Sequence, residues 1–149
     1  MTKSEKRKDR IPTIGVVAIK DGQVLLVREE RESLHLTGMY GLPSGRVEEG
    51  ETELDAAVRE FSEETGLVAD KKDFSQFPKN YFEASIPRKD GTIADFAWRV
   101  FKVTNFQGEL KGNKETTPGW HSFEDLEKLE RAGKLLPNAI AAVKAATTS

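Results

Sequence analysis

A mixed β-sheet covered by helices, of the α+β or α/β class, is what this sequence predicts, and three observations carry the prediction. Two β-branched, apolar stretches flank Asp21-Gly22, a dipeptide that favours the tight turn of a hairpin. A second pair of such stretches flanks Lys89-Asp90-Gly91. Between and after these hairpins lie segments with apolar residues at helical spacing, the strongest over 53–65. Hairpins interleaved with amphipathic helices bury their apolar faces when the helices cover a shared sheet.

Residues 1–10 carry five Lys or Arg against two acids and read as a basic, mobile tail. Residues 11–149 read as a single domain, since a chain of this length supports one core. IPTIGVVAIK and QVLLVREE are the strands of the first hairpin. A polar loop through Leu34-His35 then leads to Tyr40-Gly41-Leu42-Pro43-Ser44-Gly45, whose glycines and proline demand a sharp turn. The helix over 53–65 opens on Thr52 with Asp55 as a capping-box-like pair and closes at Gly66. Its Leu54, Ala57, Val58 and Phe61 form a stripe suited to packing on a sheet. FPKNYFEASIPR and TIADFAWRVFKV are the strands of the second hairpin, the latter long. Trp120-His121 ends a strand, Ser122 caps a helix over 123–131, and Pro137 opens a last helix toward Ala145.

Composition excludes several function classes. A net charge of -2 with a pI near 5.8 supplies no basic field to attract nucleic acid or an anionic membrane. No apolar stretch follows the charged N-terminus, and no run of about 18 apolar residues occurs, so the expected location is cytoplasmic. The chain has no cysteine, which removes disulfides, thiolate zinc sites and cysteine nucleophiles together. Its two imidazoles, His35 and His121, are far apart in sequence and make a poor zinc site. Any metal should be held by oxygen.

The helix over 53–65 carries the chemistry. At about 100° per residue, Glu60, Glu63 and Glu64 project within a sector of roughly 100°, away from the Leu54–Phe61 stripe. Glu60 has like-charged neighbours at i+3 and i+4, each pair costing about 0.2–0.5 kcal/mol. Glu63 and Glu64 also sit in the last turn, where the helix dipole disfavours anions. A solvated acidic face is the plain reading of such a cluster. Local preferences are however broken most often at functional sites, and a divalent cation turns this repulsion into binding. Clustered carboxylates are hard oxygen ligands suited to Mg²⁺ or Mn²⁺, and Mg²⁺ is often shared with substrate phosphates. The loop before the helix nearly spells a phosphate-binding GxxxxGK[ST], but Glu51 stands where lysine is required and would repel phosphate.

Gly45, five residues, Glu51, seven residues, then Arg59-Glu60-Phe61-Ser62-Glu63-Glu64-Thr65-Gly66-Leu67 together resemble the Nudix box. All seven fixed positions and both apolar positions match, a chance event on the order of 10⁻⁷ or less from average composition. The order of flanking strands and the terminal helix are similar to the family across most of residues 11–147. The resemblance implies an α/β/α sandwich that binds Mg²⁺ or Mn²⁺ and directs water onto a phosphorus of a nucleoside diphosphate linked to another group. It implies Glu60, Glu63 and Glu64 as metal ligands, with the Gly45 carbonyl. It implies a Glu51–Arg59 pair that locks the loop to the helix, for which the plain alternative is a surface ion pair. Ser44 and Tyr40 depart from the glycine and tryptophan common there.

A general base is also needed. Glu64 could serve, and so could Glu115, which matches a late-loop glutamate of relatives and is otherwise an exposed loop acid. Phe82 and Trp98 could stack on a base or belong to the core. The expected partner is a small nucleotide. The resemblance implies hydrolysis of a (deoxy)nucleoside triphosphate to monophosphate and pyrophosphate, with ADP-ribose, other diphosphate conjugates and dinucleoside polyphosphates as alternatives. A non-catalytic ligand sensor on the same fold is a different class, against which the intact glutamates argue. Homodimers are common in the family.

Overall fold

The computed structural model describes residues 10–32 and 36–148. Residues 1–9 of the expected tail and the Leu34-His35 stretch lie outside the described residues. Arg10, the last residue of that tail, donates to the carbonyls of Ala84 and Phe96 at 3.4 and 3.2 Å and lies 3.5 Å from Glu83.

Strands β1 (Ile11–Lys20) and β2 (Gln23–Glu29) meet at a turn in which Asp21 and Gly22 are both left-handed, with φ of 51° and 74°. Positive φ at both central residues is the turn geometry that matches strand twist. The two strands pair only at Ile19↔Val24 and Lys20↔Gln23 and then splay. Further strands are β3 (Tyr40–Gly41), β4 (Ser44–Arg46), β5 (Phe74–Ser75), β6 (Tyr81–Pro87), β7 (Ile93–Val103) and β8 (Thr116–Ser122). β1 runs parallel to β7 from Ile11↔Phe96 to Ala18↔Val103 and antiparallel to β4. β2 pairs with β8 along its length, from Gln23↔Ser122 to Glu29↔Thr116.

Helix α1 (Glu53–Thr65) covers one side of this mixed sheet, and α2 (Phe123–Arg131) and α3 (Ala139–Thr147) cover the other. The period-2 alternation of a strand makes this possible. Ile14, Val16 and Ala18 of β1 pack with Ala56, Ala57 and Phe61 of α1, whereas Val17 packs with Leu126, Ala142 and Val143. Among the described residues, no helix is long and apolar enough to cross a membrane.

Two boundaries differ from the sequence reading. The strand expected from Phe77 begins at Tyr81, because Lys79 takes φ of 62°, which breaks an extended run. Phe77 is instead a core residue. The last helix begins after Asn138, itself left-handed at φ 70°, so Pro137 stands outside it.

Both ends of α1 are set locally. The Thr52 side chain accepts from the Asp55 N–H at 3.0 Å, and the Asp55 carboxylate accepts from the Thr52 N–H at 3.2 Å. Lys71, 2.6 Å away, above all, together with the Thr52 backbone N–H and the Thr52 side chain, holds the Asp55 carboxyl down to about 2. Gly66 ends the helix at φ 81° and donates to the Ser62 carbonyl. Thr52→Ala is expected to lower stability by about 0.5–2 kcal/mol, read as a denaturant midpoint shift with unchanged slope.

Candidate active site

Arg59 ties the loop after β4 to α1. Its Nε and Nη2 donate to both oxygens of Glu51 at 2.7 and 2.9 Å, and Nη2 also donates to the Arg46 carbonyl at 3.0 Å. A planar guanidinium matches a carboxylate in this two-point way, which fixes direction as well as distance. Its Nη1 donates to Glu60 at 2.7 Å and Glu63 at 3.2 Å, so one nitrogen serves two acids of the helix.

The three helix glutamates share a sector of about 100°, but that sector does not lie clear of the apolar stripe as the sequence reading expects. On a helical wheel Glu64 lies only about 60° from Phe61, at the edge of the apolar stripe, whereas Glu63 lies about 160° away. Glu64 is accordingly buried, 7% exposed, and Glu63 is 57% exposed. The Glu64 carboxylate accepts the Ser44 backbone N–H at 2.6 Å. Burial above all, with the nearby Glu60 charge, pushes its carboxyl up to about 8, against the pull of the Ser44 N–H, Thr116 and Arg31. The Thr116 hydroxyl is fully buried and makes no hydrogen bond of normal geometry. Burial also raises the Glu60 carboxyl, with Arg59 opposing.

Gly45 completes the group from β4. Any Cβ placed there would collide with the Glu60 carboxylate. The absence of a side chain lets this acid lie directly against the loop backbone.

Gly45, Glu60, Glu64 and Glu115 line one cavity of about 400 Å³. Glu115 stands at its mouth, 61% exposed, and Glu63 is not among the lining residues. Trp98 lines this cavity and also a smaller apolar one of about 40 Å³, which Phe82 lines with Leu42 and Val100. Phe96 was not singled out from sequence, yet it lines the large cavity with its ring 5.4 Å from that of Trp98. The signal was present, since Phe96 and Trp98 are two apart on one strand and share a face. Arg31 and Glu29 were likewise missed, because acidic and basic residues alternating at a strand end read as solvated. His121 packs edge-on to Tyr40, away from these acids, and burial lowers its pKa.

A NUDIX domain model matches residues 9–142. The chain belongs to the Nudix hydrolase family. Relatives of this Nudix hydrolase include the 8-oxo-dGTP diphosphatase of Escherichia coli (strain K12), 31% identical over 114 residues, covering 76% of this chain and 80% of that protein. The ADP-ribose pyrophosphatase of Methanocaldococcus jannaschii is 44% identical over 59 residues, but the match covers 38% of this chain and 34% of that one. The fold is similar to the crystal structure of a MutT NUDIX hydrolase from Burkholderia pseudomallei, with a TM-score of 0.72, 21% identity, and 92% and 98% of the two chains covered. Nudix hydrolases act on small-molecule nucleotide substrates and generally use a divalent metal.

Among the described residues, no three acidic or imidazole side chains are already gathered as a metal-holding group. The donor set nevertheless fits a hard divalent cation. It consists of carboxylate oxygens and a backbone carbonyl, and Gly45 lets the Glu60 carboxylate lie directly against the loop backbone.

Proposed function

We propose that this Nudix hydrolase cleaves (deoxy)nucleoside triphosphates to monophosphate and pyrophosphate with Mg²⁺ or Mn²⁺, in the cytoplasm, where nucleotide pools reside. One observation carries this reading. A single cavity joins acids, arginines and an aromatic pair, the kinds of group that a metal-bound polyphosphate and a base would need. The Escherichia coli relative, matched over most of its length, is named for a deoxynucleoside triphosphate.

Glu60, Glu64 and the Gly45 carbonyl would hold the cation. Glu63, which shares Arg59 Nη1 with Glu60, is the further carboxylate of the set. When bound, the cation neutralises phosphate charge and makes a coordinated water more acidic. Arg59, braced by Glu51, keeps the loop and helix in register. Glu64 is enclosed and held by Ser44, which suits it to coordination. Glu115 opens to the cavity mouth, which suits it to taking a proton from the attacking water. Trp98 and Phe96 offer faces against which a base can stack, while Phe82 closes the apolar floor behind Trp98.

A hydrolysis screen of nucleotides and diphosphate conjugates, with both products identified, tests this reading. Turnover is expected to require added Mg²⁺ or Mn²⁺, since phosphoryl transfer demands charge neutralisation that these side chains do not supply alone. Full activity in excess chelator, or orthophosphate as the sole first product from triphosphates, would overturn it. If triphosphates are inert and ADP-ribose yields AMP, the second reading holds, to which the Methanocaldococcus jannaschii relative points.

A further inference from the structure

Arg31, Arg46 and Arg88 line the cavity together with its acids. Arg46 is exposed, and Arg88 donates Nη1 to Thr92 within its own hairpin at 3.3 Å. Arg31 is held differently. Its Nε and Nη2 donate to the two oxygens of Glu29 at 2.5 and 3.1 Å, and its backbone N–H reaches the same carboxylate at 3.3 Å. Glu29 ends β2 and is only 7% exposed. A buried acid requires a partner, and a carboxylate bound to one edge of a guanidinium fixes the direction of the remaining nitrogen.

That remaining nitrogen, Nη1, stands 3.6 Å from Glu115. The Arg31 charge also acts on Glu64 and Glu115. The Arg31–Glu115 contact joins two side chains 45% and 61% exposed, so it is a weak, exchangeable ion pair. Glu115 thus occupies the place that an anionic group of a ligand would take. A terminal phosphate carries more charge than a carboxylate and offers three acceptor oxygens, so it can displace Glu115 from the guanidinium.

We propose that Arg31, aimed by Glu29, contacts a non-bridging phosphate oxygen of the substrate, and that this contact releases Glu115 from its ion pair into the cavity. The assignment rests on the polyphosphate-hydrolase reading above. Arg31 is then a substrate-contacting residue, Glu29 a positioning residue, and the two negative groups alternate on one nitrogen.

Inorganic pyrophosphate with Mg²⁺, titrated by calorimetry, provides a readout separate from turnover. Arg31→Lys keeps a cation beside the buried Glu29 but lacks the fork. It is expected to weaken pyrophosphate binding and raise the nucleotide KM by roughly tenfold or more, the loss typical of a charge-assisted hydrogen bond. The double variant Glu29→Gln/Arg31→Gln replaces the ion pair by two amides, so no buried charge is left unpaired. With an unchanged melting temperature it should show the same loss. Glu29→Gln alone should raise KM more than it lowers kcat, a split that simple loosening of the fold does not produce. Glu115→Gln, which removes the competing carboxylate, should tighten pyrophosphate binding while lowering kcat. Parental pyrophosphate affinity in both Arg31 variants, with the parent active, would overturn the proposal alone. A parent that neither hydrolyses a nucleotide nor binds pyrophosphate would overturn the hydrolase reading and the proposal with it.

Discussion

In excess chelator at pH 8.5 or above, Glu64→Gln is expected to melt several degrees higher than the parent while losing activity by orders of magnitude once Mg²⁺ is restored. The Glu64 carboxyl is pushed from its ordinary value to about 8, chiefly by burial. Below the unfolded pKa near 4.5 the group is protonated in both states. Between about pH 4.5 and 8 the unfolded chain has released this proton while the folded chain retains it, so the stability held at low pH falls steadily with rising pH and the loss is complete above about 8. The cost is on the order of a few kcal/mol, or roughly 2–4 °C per kcal/mol for a domain of this size. Glutamine removes the ionisation and still offers an oxygen to the Ser44 N–H. Relief of the i, i+4 repulsion with Glu60 adds about 0.2–0.5 kcal/mol. Thermal melts from pH 5 to 9 read this as a parent curve that falls and a variant curve that stays flatter. Mg²⁺ should then stabilise the parent more than the variant, because a ligand bound only by the native state adds stability in proportion to its affinity. An active variant, or one strongly destabilised without metal, would make Glu64 a structural residue.

The second large effect is expected at Gly45→Ala. An added Cβ there meets the end of the Glu60 side chain rather than backbone. A flexible carboxylate can swing aside, so stability in chelator should change by less than about 1 kcal/mol, against the few kcal/mol of a true core clash. What is lost is the position of Glu60 against the loop. Stabilisation by Mg²⁺ should therefore be much weaker, and turnover at fixed Mg²⁺ should drop by about a hundredfold or more, as misplacement of a reacting group by about 1 Å can cost. Recovery of turnover at high Mg²⁺ would assign the loss to affinity. Unchanged turnover at low Mg²⁺ would mean that Glu60 does not hold the cation.

The segments that read most clearly in the sequence are those whose partners are local. The Asp21-Gly22 turn, the Thr52–Asp55 cap, the Gly66 stop and the Ser122 cap each depend on residues within a few positions, and each forms as its spacing implies. The Nudix box also lies on one loop and one helix, which is why family and reaction class could be read from 23 residues.

The cavity could not be read in this way, because its walls come from strands far apart in the chain. The parallel register of β1 on β7 joins residues about 85 positions apart and brings Phe96 and Trp98 over the box. The β2–β8 pairing places Glu29 opposite Thr116, which sets Arg31 beside Glu115. The helix glutamates show the same division. Sequence alone determined that three carboxylates stand in the last turns of α1. Tertiary structure decided that Glu64 is buried against Ser44 and Glu63 faces solvent, because which side of the wheel meets the sheet depends on packing, and burial sets the charge state of an acid.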